Sequence, residues 1–436
     1  KDRRYTQEQF SIHVPVAINY TAGKVNRIND SVNGYLRNNP DVKIIGVDRG
    51  ERNLLYVCMI DQSGRILKQK SYNIVEETRF NGETRAVDYL DKLELREKER
   101  NEARQSWKTI GNIKELKEGY LSMVVHEITD MMVENNAVLV MENLNRGFKR
   151  GRMKFERQVY QKFEMMLINK LNFLCDKTSA EDNSGSIYHA YQLTAKVADY
   201  QDIYQQTGFI YYVVPSYTSK IDPTTGFADI FNHSDAKNDK EGFLDKMTSI
   251  KFDSGSDMFQ FVFDYDQFNL RDTMPITKWT AYTNGNRLIH QIKNGQHSFV
   301  TLDITKYLQD YLIENHIDFK NGSNLITELN AIEDKRKHAA VRDALFNTFF
   351  WALQMRNSSS ETGEDYIISP VKNSTGDFYC SSDRNESLPI DADANGAYNI
   401  ARKGLMIKQR IDASKADEKV NLNISNTEWF EFASKK

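Results

Sequence analysis

Cysteine is scarce in this chain of 436 residues. The three cysteines, Cys58, Cys175 and Cys380, lie far apart and form neither a CxxC pair nor an even-numbered set. Disulfide frameworks need paired cysteines, and structural zinc sites need clustered ones. The sequence therefore predicts a protein of a reducing compartment that carries no structural zinc.

Long apolar runs and an excess of one charge are also lacking. No stretch is apolar enough to span a bilayer, and the first residues do not read as a signal peptide. The 58 Lys and Arg residues against 61 Asp and Glu residues give a net charge of −3. This balance excludes a uniformly basic nucleic-acid-binding protein and leaves only local basic patches. The length suits two or three domains. Because the chain starts with Lys1, we expect it to be part of a longer protein.

Two short apolar stretches each end in a carboxylate. Residues 43–47 (KIIGV) are rich in β-branched side chains, favour a buried strand and lead to Asp48. Residues 137–141 (AVLVM) repeat the pattern and lead to Glu142. A buried carboxylate is costly unless a cation, such as a metal ion, faces it. Taken alone, Asp48 is better explained as the first residue of a turn.

A third acidic segment, residues 391–401, contains Asp391 and Asp393 followed by small residues. Alanine and glycine have little bulk, so a helix over this segment can lie close to a neighbouring sheet. Both aspartates also suit the N-terminus of that helix, where its dipole favours a negative charge. Capping is therefore the alternative role for each of them.

The order of the predicted elements connects the three acidic segments. A three-stranded meander, a helix, a fourth strand, a second helix, a fifth strand and a final helix are the elements of a ribonuclease H fold in their order. The predicted ranges before the final helix are 43–48, 53–60, 65–72, 113–136, 137–142, 153–177 and 209–214. In that fold Asp48, Glu142 and Asp393 would converge at one edge. Three carboxylates repel each other unless divalent cations join them, and two Mg²⁺ or Mn²⁺ ions would suit phosphodiester hydrolysis.

Two other regions differ from this pattern. The loop after Glu142 has the densest cluster of like charge, which favours contact with a phosphate backbone over an ordinary solvated loop. Its cations are Arg146, Lys149, Arg150, Arg152 and Lys154.

Residues 228–390 predict a separate α+β unit, with a strand near 259–265, a hairpin turn at 284–286 and a helix near 340–356.

Several long motifs resemble one known family, the type V-A CRISPR effector nucleases. They occur in the family's order, and the resemblance covers essentially the whole chain. The motifs are IGVDRGERNLLY, VMENLNRGFKRGR, QVYQKFEMMLINKLN, TSKIDPTTGF, LQMRNS, SPVKNS and DADANGAYNIARKG.

The resemblance implies an α/β fold with a RuvC-like, ribonuclease H-like mixed sheet and flanking helices. That domain would be split in sequence, with an α+β Nuc insert and the end of an N-terminal β domain. The implied divisions are 1–40, the end of a wedge-like β domain; 41–88, RuvC segment I; 89–106, the bridge helix; 107–214, RuvC segment II; 215–390, the Nuc insert; and 391–436, RuvC segment III.

The resemblance also implies roles for individual residues. Asp48, Glu142 and Asp393 match the catalytic, metal-binding carboxylates. Arg356 matches an arginine that assists cleavage by positioning phosphate or stabilising charge; a cation at a helix C-terminus is the alternative. Lys1 matches a lysine of the metal-independent site that processes precursor guide RNA.

The remaining implications concern partners. Trp107 matches a tryptophan that docks into the recognition lobe, and the recognition and wedge regions would precede Lys1. The family works with a CRISPR guide RNA on double-stranded and single-stranded DNA in antiviral defence. We therefore expect an RNA-guided, metal-dependent DNA endonuclease of the prokaryotic cytoplasm that does not bind membranes.

Two alternative functions compete with this one. A transposon-encoded RNA-guided nuclease shares the three carboxylates but usually carries cysteine pairs. Here Asp222 and Gly226 stand in the region where distant relatives have a zinc ribbon, so we expect no zinc. A catalytically silent nucleic-acid-binding module is disfavoured because all three carboxylates are present.

Overall fold

The computed structural model describes residues 28–49, 54–78, 82–88, 91, 113–143, 156–174, 197, 202–293, 296–358, 365–415 and 418–435. Its strands, in chain order, are β1 (Lys43–Asp48), β2 (Tyr56–Ile60), β3 (Ile66–Ser71), β4 (Ile74–Thr78), β5 (Thr84–Asp88), β6 (Ala137–Glu142), β7 (Gln206–Thr207), β8 (Ile210–Val213), β9 (Ser249–Asp253), β10 (Met258–Asp264), β11 (Lys278–Tyr282), β12 (Asn286–Lys293), β13 (Gln296–Asp303), β14 (Arg356–Ser358), β15 (Asp365–Lys372) and β16 (Phe378–Cys380).

The helices are also numbered in chain order. They are α1 (Ile28–Asn38), α2 (Ile113–Glu134), α3 (Glu156–Leu174), α4 (His233–Asn238), α5 (Lys240–Asp245), α6 (Ile304–Glu314), α7 (Leu325–Asn330), α8 (Lys335–Leu353), α9 (Ala392–Ala413) and α10 (Asn426–Ala433). Within the described ranges, none of these helices is both long and apolar enough to cross a membrane.

A six-stranded mixed sheet carries the central core, in the order β3-β2-β1-β6-β8-β7. Strands β1, β2 and β3 are antiparallel neighbours, as expected for a meander, whereas β6 runs parallel to β1 and β8 runs parallel to β6. The apolar residues of β1 and β6 are buried, which agrees with strands covered on both faces. This arrangement is that of a ribonuclease H-like sheet, and β4 and β5 add a separate hairpin.

Helix α9 lies directly on β1 because small residues face each other at the contact. A β-carbon built on Gly46 would lie 2.1 Å from the carbonyl oxygen of Ala397, and one on Gly404 would lie 2.4 Å from Val140. Real β-carbons do not approach other atoms so closely, so glycine is required at both positions. The expected close packing of this small-residue helix on the sheet is confirmed.

Helix α1 differs from the expectation for the N-terminal segment. Residues 28–38, assigned from the sequence to the end of a β domain, are helical and pack against α9 and β7. Asn29 Nδ2 donates to the carbonyl oxygen of Gln206 at 3.2 Å, and Arg37 Nε donates to that of Ile411 at 3.2 Å. Residues 28–38 therefore pack as part of the central domain, and residues 1–27 are outside the described part.

Residues 215–390 combine short sheets and helices around an aromatic core. The sheets are β11-β10-β9, β14-β15-β16 and β12-β13. The core is centred on Phe231, whose ring contacts those of Phe243, Phe263, Tyr265, Phe268, Phe349 and Phe350. The α+β character predicted from the sequence is present in this region.

Two local predictions in this region are wrong. Gly285 takes a left-handed conformation, but the turn at 284–286 does not join a hairpin, since β11 pairs with β10 and β12 pairs with β13. The turn instead carries the chain from one sheet to another. The helix expected near 340–356 ends at Leu353, so Arg356 begins strand β14 and is not a helix-terminal cation.

Candidate active site

The ends of β1 and β6 place Asp48 and Glu142 side by side. These parallel strands are paired in register up to Val47 and Met141, the residues just before the two carboxylates. Side chains alternate along a strand, and Gly46 and Val140 face α9. Asp48 and Glu142, two positions further on, therefore share the α9 face, on strands roughly 4.8 Å apart.

Asp393 joins them from the first turn of α9. Its exposed fraction is 2 %, and that of Asp48 is 8 %. Capping of α9 falls to Asp391, whose Oδ1 accepts a hydrogen bond of 2.7 Å from the backbone N–H of Ala394. The two aspartates of this motif thus have different tasks, and only Asp393 is released from the capping role.

The charges of the three carboxylates act on one another. Burial raises the pKa of Asp48 well above its usual value, and the negative charges of Glu142 and Asp393 raise it further. The positive charge of Arg356 and a hydrogen bond from the backbone of Arg49 oppose this rise. The three carboxyl groups therefore lie within electrostatic reach of one another, with Arg356 as a nearby positive charge.

Arg356 reaches this site from strand β14. Its Nη2 lies 2.8 Å from Oδ2 of Asp365 and 2.8 Å from Oδ1 of Asp393. Burial works to lower the pKa of Arg356, but Asp393 and Asp365 raise it overall. The arginine therefore remains charged and links the region 215–390, to which it and Asp365 belong, to Asp393.

A cleft of about 920 Å³ opens between the sheet edge and this region. Asp48 and Glu142 line this cleft, and so do Arg356 and Asp365. The remaining wall combines cationic, titratable and aromatic side chains. It includes Lys220, His233, Lys237, Phe350 and Trp351.

Several supporting residues were not identified from the sequence. Thr218 Oγ1 donates to Oε1 of Glu142 at 2.5 Å. Arg49 Nη2 donates to the backbone oxygen of Glu142 at 2.8 Å, and its Nη1 pairs with Glu164 at 3.1 Å. Arg49 could have been identified from the sequence because it directly follows Asp48 in the same motif. Thr218 could not, because no local pattern distinguishes it from other loop threonines.

A buried arginine fixes the chain just before Arg356. Arg287 donates through Nε to the carbonyl oxygen of Trp351 and through Nη2 to that of Ala352, both at 3.0 Å. These carbonyls belong to the last turn of α8, where helical partners are missing. Arg287 therefore caps α8 and defines where the strand bearing Arg356 starts.

The donor set suits a hard divalent cation in its chemistry. Asp48, Glu142 and Asp393 supply carboxylate oxygens, the ligands that Mg²⁺ and Mn²⁺ prefer. Burial, followed by the charges of Glu142 and Asp393, raises the pKa of Asp48. In the described residues no group of three His, Cys, Asp or Glu side chains is already arranged to hold a metal. Arg356 occupies an oxygen of Asp393, and Thr218 occupies one of Glu142.

Other sequence-predicted residues have different outcomes. Asp222 is fully buried and anchors its own loop, since Oδ1 accepts from the backbone N–H of Thr224 at 2.7 Å and Oδ2 accepts from Ser369. Nearly all of the predicted bridge helix 89–106 lies outside the described part of the chain. The remaining predicted site residues lie outside it as well; they are Lys1, Trp107, Arg146, Lys149, Arg150, Arg152 and Lys154.

The central sheet is ribonuclease H-like, with carboxylates at the ends of β1 and β6 that line the cleft and a third carboxylate, Asp393, next to them on α9. This combination is typical of one class of nucleases. In agreement, the model of the RuvC nuclease domain family matches residues 22–436. The chain therefore belongs to the RuvC nuclease domain family, and cleavage of nucleic acid is the activity that this family indicates.

Proposed function

We propose that this chain is the nuclease portion of a type V-A CRISPR RNA-guided DNA endonuclease. In such a system, pairing with the guide RNA reads the target sequence, and the protein hydrolyses phosphodiester bonds in the target and non-target DNA strands. The missing recognition and wedge regions of the same protein would bind the guide RNA together with this chain.

The contact between Arg356 and Asp393 carries this proposal. The two residues come from the LQMRNS and DADANG motifs, lie 37 positions apart in sequence, and are joined by a 2.8 Å ion pair. The resemblance alone implied that both act at one site. An arginine supplied by the neighbouring region and held against a carboxylate is well placed to meet a scissile phosphate.

Asp48, Glu142 and Asp393 would hold the divalent cations, Mg²⁺ or Mn²⁺. Two bound ions supply activation of the attacking water and stabilisation of the leaving oxygen. Arg356 Nη2 contacts both Oδ1 of Asp393 and Oδ2 of Asp365, so the guanidinium group would stay beside the metal ligands and could donate to the phosphate of the bound strand.

The cleft suits a single DNA strand. Lys220 and Lys237 offer positive charge for phosphates, and the rings of Phe350 and Trp351 line the same cleft and offer stacking surfaces for bases. The basic loop 146–154 would extend the phosphate path. Trp107 would anchor the recognition lobe, and Lys1 would take part in processing precursor guide RNA.

The decisive experiment uses the full-length protein loaded with a guide RNA and Mg²⁺. We expect cleavage of DNA that matches the guide, and no cleavage when the guide is absent or mismatched. Equal cleavage without a guide would point to an unguided RuvC-type nuclease. Guided binding without cleavage, under conditions where metal is saturating, would point to a silent binding module.

A further inference from the structure

Side chains of α9 and α10 hold the backbone of the loop after β8, residues 214–221. The carbonyl groups of this loop accept hydrogen bonds from four side chains. Lys403 Nζ donates to Val214 O at 2.8 Å and to Ser216 O at 2.6 Å, Trp429 Nε1 to Tyr217 O at 2.9 Å, Asn399 Nδ2 to Thr218 O at 2.9 Å, and Asn395 Nδ2 to Ser219 O at 3.4 Å and to Ile221 O at 3.0 Å.

Three of these donors form one row on α9. Asn395, Asn399 and Lys403 are spaced four residues apart, so they project from the same side of the helix. All three are buried. Buried polar groups are costly unless they are paired, and the loop carbonyls provide the partners. The hydrogen bonds from these three side chains therefore hold the backbone of the loop against α9.

The conformation of the loop itself needs this support. Tyr217 has a φ of +54°, a left-handed value that costs free energy for a residue with a bulky side chain. The neighbouring hydrogen bonds from Trp429 and Asn399 hold the carbonyl groups of Tyr217 and Thr218. With its carbonyl directed to α9, Thr218 presents its hydroxyl group to Glu142.

We propose that Thr218 is a positioning residue that fixes one carboxylate oxygen of Glu142 and leaves the other directed into the cleft. Its hydroxyl group donates to Oε1 at 2.5 Å, and both residues line the cleft. The restraint runs from α9 through the loop to Thr218 and then to Glu142. The inference rests on the nuclease function of this site and does not depend on an RNA guide.

Helix α9 would thereby set the position of all three carboxylates. It carries Asp393, its Gly396 contacts Asp48, and its polar row holds the loop that orients Glu142. Without the hydrogen bond from Thr218, the Glu142 side chain would lose rotamer freedom each time a metal binds. Because Thr218 already orients Glu142, it should strengthen metal binding.

The test compares Thr218→Val, which keeps the shape but removes the hydroxyl group, with Thr218→Ser, which keeps the hydroxyl group. Mn²⁺ binding to the full protein is measured by electron paramagnetic resonance, and cleavage of DNA is measured under single-turnover conditions. We expect the valine variant to bind Mn²⁺ at least threefold more weakly and to cleave at least tenfold more slowly at subsaturating metal. The serine variant should remain within twofold of the parent in both.

Two controls separate this effect from general damage. Thr305→Val removes comparable part-buried hydrogen bonds, to the carbonyl oxygen and the hydroxyl group of Thr283, at residues that do not line the cleft, and should change neither measurement. Glu142→Ala sets the scale for complete loss of the ligand. If Thr218→Val does not fold, Thr218→Ala gives the same comparison without a branched side chain.

Two results would overturn the role of Thr218 alone. One is Mn²⁺ affinity and cleavage within twofold of the parent in Thr218→Val, while Glu142→Ala loses both; the nuclease site would then stand without the role of Thr218. The other is equal loss in the valine and serine variants, which would assign the effect to packing. No change in Mn²⁺ binding with Glu142→Ala would remove the metal site and this inference together.

Discussion

A β-carbon added to Gly396 would lie 2.0 Å from Oδ2 of Asp48. The first turn of α9 therefore touches the carboxylate at the end of β1, with no room for even a methyl group. This contact joins two acidic motifs that are separated by most of the chain. The position of Asp48 therefore depends on that of Asp393, because Asp48 contacts Gly396 and Asp393 lies three residues before Gly396 on the same helix.

Gly396→Ala should consequently displace Asp48. Overpacking a filled contact costs about 1–3 kcal/mol of stability, and misplacing a reacting group by about 1 Å can cost on the order of a hundredfold in rate. We expect a loss of cleavage of that order, measured as a single-turnover rate. Gly34→Ala in α1, where an added β-carbon meets nothing within 4 Å, should instead raise stability by about 0.5–1 kcal/mol. Parent-like cleavage by Gly396→Ala would contradict the contact.

The carboxylates themselves are tested by Asp48→Ala and Glu142→Ala. Each should abolish cleavage while guided DNA binding stays nearly intact, because binding depends on base pairing and on contacts to the backbone. Cleavage and binding are measured on the same full-length complex. Substantial Mg²⁺-dependent cleavage by either variant would exclude it from the catalytic set.

Arg356→Ala should slow cleavage of at least one DNA strand without changing the affinity for guide RNA. The reason is that its proposed partner is the substrate phosphate. Arg356→Lys should restore the rate only in part, because lysine cannot make the bidentate contact. Arg342→Ala is the matched control, since Arg342 is similarly exposed and pairs with Asp343 at 3.0 Å outside the carboxylate site. Unchanged rates on both strands would limit Arg356 to a structural ion pair.

The contribution of Asp391 to the stability of the metal-free protein should fall as the pH rises from about 4 to about 6. Burial raises the pKa of Asp391 to about 6, and the charge of Asp393 adds to this, against hydrogen bonds from Ala394, Asp393 and Tyr56. In this window the folded state keeps a proton that the unfolded chain, with an aspartate pKa near 3.9, has released. This contribution of Asp391 to the free energy of unfolding should therefore decrease by on the order of 2 kcal/mol.

Urea unfolding at pH 4.5 and at pH 7 measures this change. Asp391→Asn keeps the capping ability and removes the ionisation, so it should reduce the difference between the two pH values. Asp303→Asn makes the same substitution at the N-cap of α6 and controls for the loss of an acidic cap. An unaltered pH dependence in Asp391→Asn would assign the slope to other groups, such as Asp48.

Lys1 is addressed by its sequence motif alone. Lys1→Ala should impair cutting of precursor guide RNA while DNA cleavage with a mature guide continues, because a cation at that site stabilises charge that develops on the phosphate. Both reactions are followed with the same full-length preparation. Normal precursor processing by the variant would remove Lys1 from the processing site.

The sequence itself determined β1 and β6 of the central sheet and the carboxylate at the end of each of these two strands. Apolar β-branched residues in 43–47 and 137–141 favour buried strands through local preferences and burial, and both are present. The small residues of α9 likewise predicted its close packing on the sheet. These are properties of neighbouring residues, so a local pattern is enough to reveal them.

The tertiary structure decided what depends on residues far apart in the chain. Asp391 and Asp393 are equally suited to capping by sequence, and only the path of α9 assigns the cap to Asp391 and brings Asp393 to the site. Local turn chemistry at 284–286 likewise did not show that the flanking strands pair elsewhere. Thr218 has no distinguishing pattern because its role comes from hydrogen bonds to Glu142 and Asn399, which only the packed helix and sheet bring together.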